Sequence, residues 1–506
     1  MGTSPSRARR IRKVLVANRG EIAVRVMRTC RELGIVPAAV YSDPDRHALH
    51  VRLADEAYAL PGAAPRDTYL NQEKILDAAR KAGAEAIHPG YGFLSENASF
   101  SRACRESGII FIGPGPESIE MMGEKTRARE TMSRAGVAVV PGTPPLADEE
   151  EARAAAGRIG YPVLIKAAGG GGGKGMRKVE RPAELGGAFE ACRREALSAF
   201  GDGRVYIEKF LREPHHIEFQ VLADGTGKAV HLFERECSVQ RRHQKIIEET
   251  PSPLMTEELR EEMGEAAVKA ARACGYVNAG TIEFLVDADR RFYFLEMNTR
   301  LQVEHPITEM ITGVDLVAKQ IEIAAGGTLR GFAPERRGHA VECRIYAEDP
   351  WNGFIPSPGL VRRLAVPGGP GIRDDSGVYA GFTIPLEYDP LISKLVAWGE
   401  SRERALARMR RALEEYQIVG IRTNIPYLRR ILAHPDFAKG RYDTQFIDKK
   451  QDELLREDGD GPDDAAWAAA AILAWFADEH GPVLSFTAQA PSSAWKLSGR
   501  PGDRER

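Results

Sequence analysis

At 506 residues, 43% hydrophobic and 28% charged, the chain is too long for one small core, and its length implies about three soluble domains. A net charge of -2 offers no basic field for nucleic acid. The cysteines Cys30, Cys104, Cys192, Cys237, Cys274 and Cys343 form no C-x-x-C pair, which argues against a zinc site or a disulfide framework and fits a reducing cytoplasm.

The Arg-rich start, Met1 to Lys13, reads as a disordered leader. A strand over Val14 to Ala17, a turn at Asn18-Arg-Gly20, an amphipathic helix to Leu33 stopped by Gly34, and a strand through Val40 then make a βαβ start. A helix from Asn71 to Ala82, the strand Ala86-Ile-His88, a helix from Ala98 to Ser107 and the strand Ile109 to Ile112 continue the alternation, which predicts a parallel sheet. No G-x-G-x-x-G follows the first strand, so an ordinary dinucleotide site is not expected there. Helices mix with strands such as Pro162 to Lys166 and His216 to Ala223 until Leu285. From Gly338 strand pairs alternate with Gly/Pro turns and end in an Arg-rich helix, Arg402 to Tyr416. After Asp448 come an acidic linker and one Ala-rich helix, whose apolar run Ala465 to Ala477 is too short to span a bilayer. The reading is a multidomain α/β and α+β protein: residues 11–120 a parallel-sheet domain, 121–330 a mixed domain, 331–448 a mixed α+β domain, and 449–506 a tail.

Four segments carry chemistry. Gly169 to Gly173, followed by Lys174-Gly175, comes after a strand ending in Lys166, a place where exposed N–H groups can wrap phosphate oxygens; it is not a P-loop, because glycine is missing at Ala168 and a hydroxyl residue at Gly175. Glu283 and Glu296 fall on two runs separated by the turn Asp287 to Arg290, so they are expected on neighbouring antiparallel strands, where two carboxylates and the Asn298 amide suit magnesium bridging nucleotide phosphates. The third segment is the polar stripe Glu296, Asn298, Arg300, Gln302 and Glu304, one face if the run is a strand. A straight strand would spread that stripe over about 27 Å, too far for one small substrate, so the run must bend or divide into a metal half and an oxyanion half with Glu304 as base and Arg300 as clamp. In Gln240-Arg-Arg-His-Gln-Lys245, parity aims His243 and Lys245 together and Gln240 away unless the segment coils; Cys237 nearby reads as structural.

Together these residues resemble the ATP-grasp superfamily and, within it, the biotin carboxylases. The resemblance runs from Val16-Ala-Asn-Arg-Gly-Glu-Ile22 through His88-Pro-Gly-Tyr-Gly-Phe-Leu-Ser-Glu96, the glycine flap, Gln240 to Lys245, Glu296 to His305 and His339 to Ile345, as far as Tyr388-Asp389. It implies ATP-driven carboxylation of biotin by bicarbonate, and it assigns nucleotide binding to residues 121–330, with a lid at about 138–210. It places Lys125, Lys166, His243, Gly172 and Gly173 on ATP phosphates, Glu208, Lys209 and Leu211 at adenine, His216 near the ribose and Gln240 in the same nucleotide site. Glu283, Glu296 and Asn298 match ligands of magnesium or manganese. Lys245, Arg300, Gln302 and Val303 match bicarbonate contacts, Glu304 the base, and Arg344 the cation that stabilises the biotin enolate. Lys174 stands where arginine is frequent. Lys496 lies between Trp495 and Leu497 rather than between methionines, so biotin is expected on a separate carrier protein, with separate carboxyltransferase subunits, as in acetyl-CoA or propionyl-CoA carboxylase. Arg28 and Glu32 match a dimer helix, although at i, i+4 they can pair with each other. The rival readings are a carbamoyl phosphate synthetase-like ligase and a nucleotide-binding subunit without turnover.

Overall fold

The computed structural model describes residues 9–169, 175–456 and 471–475. The N-terminal part alternates strands and helices as the apolar periodicity predicts. Strands Lys13–Val16, Val36–Tyr41, Glu56–Ala59, Ala86–His88 and Ile110–Phe111 (β1 to β5) form a parallel sheet in the order β3-β2-β1-β4-β5. Asn71 and Asn97 cap the helices Gln72–Ala82 and Ala98–Glu106 by accepting from Lys74 N and Phe100 N. The unexpected strand is β3; its sequence Glu-Ala-Tyr-Ala has no apolar run because it sits at the sheet edge.

In the central part, Val163–Ala167, Met176–Val179 and Val205–Lys209 (β6 to β8) form a three-stranded antiparallel sheet with its own core against the helices Glu149–Ile159 and Leu185–Phe200. Strands His215–Ala223, Ala229–Arg241, Gln244–Thr250, Asn278–Val286, Phe292–Asn298 and His339–Tyr346 (β9 to β14) join Leu391–Gly399 and Ile372–Ser376 in one eight-stranded antiparallel sheet. Its order is β13-β12-β9-β10-β11-β14, then Leu391–Gly399 and Ile372–Ser376, so the sheet crosses from the central into the C-terminal part. The helix Arg402–Glu415, capped by Ser401, packs Leu406, Met409 and Leu413 over its C-terminal end.

Residues Met1–Leu455 form one compact unit and Arg456–Arg506 another. In the second, residues 471–475 are helical and expose Ile472, Leu473 and Trp475; the remainder of the expected Ala-rich helix, like the leader before residue 9, lies outside the described residues. Among the described residues no helix is long and apolar enough to cross a membrane. All six cysteines are free and buried.

Candidate active site

Strands β12 and β13 pair so that Glu283 stands opposite Glu296 and Thr281 opposite Asn298, which puts both carboxylates side by side as expected. The polar stripe does not continue as a strand. β13 ends at Asn298, and after a short loop the chain enters the helix His305–Thr312 with Pro306 in its first turn. The ladder stops because a remote carboxylate captures the next residues: Glu96 accepts from Thr299 N (2.9 Å) and Thr299 Oγ1 (3.2 Å) with one oxygen and from Arg300 Nε (2.9 Å) with the other. The chain then folds back. Arg300 donates to Asn298 Oδ1 at 3.1 Å and Gln302 Oε1 at 2.9 Å, and Gln302 Nε2 donates to Glu283 Oε1 at 3.0 Å. Asn298 and Gln302, which a straight strand would spread apart, thus both donate to Glu283.

The Gln240 segment turns rather than running straight, so simple parity does not decide which face Gln240 takes. Arg242 (φ 50°) and His243 (φ 65°) are the two central residues of a tight hairpin between β10 and β11, so Gln240 and Lys245 become cross-strand partners on one face. The Gln240 amide nitrogen lies 2.8 Å from His216 Nδ1, and His216 Nε2 lies 2.8 Å from Glu283 Oε2. His243 sits exposed at the hairpin tip.

Glu304 is the centre of the site. Fully buried at the start of the helix His305–Thr312, it meets Lys245 Nζ at 2.8 Å and Arg344 Nη2 at 3.0 Å on separate oxygens. Burial alone would push its carboxyl up, but Lys245, Arg344 and Arg235 outweigh it and hold the carboxyl well below the usual range. Lys245 also reaches Glu218 (2.5 Å) and Glu283 (3.0 Å). Arg344 is gripped from behind by Glu248, through Nε at 2.6 Å and Nη2 at 2.5 Å. Glu218 is held in turn by the fully buried Arg235, which also donates to Gln220, Thr281 and Thr308. Sequence reasoning assigned no role to Glu96, Glu218, Arg235 or Glu248. Alternation along His216-Ile-Glu218-Phe-Gln220 puts Glu218 on the His216 face, a signal that could have found it. Cys237 stays unreactive in character: its Sγ is 3.9 Å from Glu304 Oε1, and burial beside Glu218 and Glu304 pushes the thiol well up.

A second cluster lies toward the three-stranded sheet. Lys166 pairs with Glu208 at 2.5 Å, and Arg129 binds the other oxygen of that carboxylate. Lys209 Nζ is committed to the carbonyls of Gly160 (2.8 Å) and Tyr161 (3.2 Å), and Leu211 is half-buried just beyond. Gly172, Gly173 and Lys174 lie outside the described residues. Lys125, Glu296, Asn298 and Glu96 line a cavity of about 230 Å³. Burial and the neighbouring Glu283 raise the Glu296 carboxyl, with Lys125 opposing. Glu296 on the cavity wall, with Glu283 opposite it across the β12–β13 ladder, offers a pair of carboxyls whose oxygens suit a divalent cation. Two groups of donors, His216 with Glu218 and Glu283, and Glu218 with Cys237 and Glu304, each have ligand atoms within 4.8 Å of one another, and Lys245 already bridges the carboxylates of both.

Comparison with known proteins agrees with this geometry. Residues 10–119 match the biotin carboxylase N-terminal domain, residues 124–332 the ATP binding domain of the carbamoyl-phosphate synthase L chain, and residues 342–449 the biotin carboxylase C-terminal domain. The biotin carboxylase of a Nostoc species is 54% identical over 438 residues, 86% of this chain and 98% of that one. Biotin carboxylase 1 of Bacillus subtilis is 51% identical over 442 residues, 87% of this chain and 98% of that protein. Among solved structures, the biotin carboxylase domain dimer of Hydrogenobacter thermophilus 2-oxoglutarate carboxylase, in complex with MgADP, ADP and bicarbonate, superposes with a TM-score of 0.84 at 51% identity, over 88% of this chain and 99% of that one. With matching domains at this identity over nearly the whole of each relative, the chain belongs to the biotin carboxylase family.

Proposed function

We infer that this protein catalyses the ATP- and magnesium-dependent carboxylation of biotin by bicarbonate. The observation that carries the reading is Glu304 set between Lys245 and Arg344, one carboxylate flanked by two cations on separate oxygens. Bicarbonate is a poor electrophile, and phosphorylation makes it carboxyphosphate. That intermediate breaks down to carbon dioxide and a phosphate basic enough to take the ureido proton of biotin, in a site from which water must be excluded.

Lys245, Arg300, Gln302 and the Val303 backbone bind bicarbonate, and Glu304 takes its proton as the oxyanion attacks the γ-phosphorus. The two cations that hold the Glu304 carboxyl low at rest have other work in the reaction, so substrate entry draws them off and raises its basicity. Arg344, oriented by Glu248, then holds the ureido oxygen as an enolate while the nitrogen attacks carbon dioxide. Lys125, Lys166, Gly172, Gly173 and His243 grip the phosphates; Glu208, Lys209, Leu211, His216 and Gln240 seat the nucleoside, under a lid at about 138–210. Glu283, Glu296 and Asn298 would hold magnesium or manganese, which would supply charge neutralisation on the phosphates.

Biotin arrives on a separate carrier protein, the product goes to carboxyltransferase subunits, and the compartment is the cytoplasm. A homodimer forms through the helix Gly20–Glu32, on which Arg28 and Glu32 are both exposed and, among the described residues, not paired with each other. The test is bicarbonate-dependent ATP hydrolysis with and without free biotin at saturating magnesium; a folded protein whose hydrolysis biotin does not stimulate refutes the assignment.

A further inference from the structure

The loop that presents Glu304 is pinned from outside the nucleotide domain. Lys394, on the strand Leu391–Gly399, is completely buried, and its Nζ donates to the Val303 carbonyl at 2.9 Å. The same ammonium pairs with Glu21 Oε2 at 3.1 Å, and the Tyr91 hydroxyl donates to the other oxygen of Glu21. The preceding loop carbonyl, that of Gln302, accepts from His305 Nδ1 at 2.8 Å. Burial together with Lys394, Arg25 and Arg373 keeps the His305 ring neutral, with Nδ1 as its donor.

In a trans peptide the N–H points opposite to the carbonyl of the same unit. With the Gln302 and Val303 carbonyls each held by a partner, the N–H groups of Val303 and Glu304 are each directed away from that partner. Among the described residues neither N–H meets a protein acceptor, and both stand at the start of the helix His305–Thr312, where an anion is favoured. A methionine at 394 would fill similar volume without desolvating an ammonium. What the ammonium adds is a donor to one loop carbonyl.

We propose that Lys394 is a positioning residue for bicarbonate capture: held by Glu21, it fixes the Val303 peptide so that consecutive N–H groups of Val303 and Glu304 are presented to the oxyanion. This rests on Val303 lying in the bicarbonate site. A lysine from the C-terminal part and a glutamate from the N-terminal part then set the geometry of an anion site in which neither touches the anion.

The test is steady-state bicarbonate-dependent ATP hydrolysis by the full chain and its Lys394→Met, Lys394→Gln and Glu21→Gln variants, with far-UV circular dichroism to establish folding. Lys394→Met should raise KM for bicarbonate by about tenfold or more while KM for ATP stays within about twofold. Lys394→Gln, which keeps an N–H donor, should recover part of that loss, and Glu21→Gln, which keeps the lysine, should raise KM for bicarbonate by about threefold. Folded lysine variants whose KM for bicarbonate stays near that of the parent overturn the proposal, as do equal rises in KM for bicarbonate and ATP. Where the lysine variants do not fold, an unchanged KM for bicarbonate in Glu21→Gln overturns it. If the parent shows no bicarbonate-dependent hydrolysis, the functional reading fails instead.

Discussion

Replacing Glu249 with glutamine probes the lock between the central sheet and the C-terminal part. Glu249 is enclosed on β11 and receives His339 Nε2 at 2.7 Å, Arg402 Nε at 2.7 Å and Nη2 at 2.9 Å, and the Tyr442 hydroxyl. Burial alone would raise its carboxyl, but the bonds from His339 and Arg402 outweigh burial and hold it at about 2, against an ordinary 4.5. A carboxyl lowered in the folded state stabilises the fold above its unfolded pKa, and that contribution drains away as pH falls through the folded one. The window therefore runs from 4.5 down to about 2. At 1.36 kcal/mol per pH unit, the difference amounts to about 3 kcal/mol at neutral pH, all of it lost in Glu249→Gln. Urea unfolding followed by far-UV circular dichroism should show the variant less stable by about 3 kcal/mol near pH 7.5, with the gap narrowing to about 2 kcal/mol near pH 3.5. Side chains alternate along β11, so Glu249 faces away from Glu248 and the site, and kcat for bicarbonate-dependent hydrolysis should change less than about threefold. A gap under about 1 kcal/mol at neutral pH, or one that widens on acidification, refutes the reasoning.

Three further substitutions test the site itself. Arg344→Ser should abolish carboxylation of free biotin and leave KM for ATP within about twofold, because it strips the enolate cation without touching the nucleotide; equal losses in both count against that role. Glu304→Gln should lower kcat for bicarbonate-dependent ATP hydrolysis by roughly a hundred- to ten-thousandfold in the same assay, and retention of a tenth of the activity removes Glu304 as the base. Glu96→Gln leaves Arg300 without its charged partner and should raise KM for bicarbonate by about tenfold, with KM for ATP little changed; no rise in steady-state kinetics would show that the loop holds Arg300 unaided.

Apart from β3, the N-terminal parallel sheet was legible because its helices and strands carry their own apolar period and boundary signals, Asn71 and Asn97 at helix starts and Gly34 at a helix stop. The Glu283–Glu296 pairing was legible too, since a short polar turn between two apolar runs leaves little choice of register. Two local features were not. That the run Glu296 to Glu304 must bend was legible, but not that it bends at Thr299, because the competing hydrogen bonds come from Glu96, some two hundred residues upstream. The hairpin at Arg242-His243 was missed because both residues adopt positive φ without the Asn or Gly that usually announces such a turn. Glu218, Arg235 and Glu248 sit on strands that the sequence reads as core, and only the spatial order of the strands sets their charges around Lys245.

The anion site draws its restraints from far along the chain, and that has a consequence for synthesis. Arg300 is held by a glutamate 204 positions before it, whereas Glu304 waits for Arg344, 40 positions after it. A polypeptide arrested between Glu304 and β14 already carries Glu283, Glu296, Asn298 and Glu304, the proposed metal ligands and base, yet has made neither Arg344 nor Lys394. In such an unfinished chain Glu304 lacks Arg344 and the Val303 carbonyl lacks Lys394, so on the proposed roles the site is complete only when the last strands have docked.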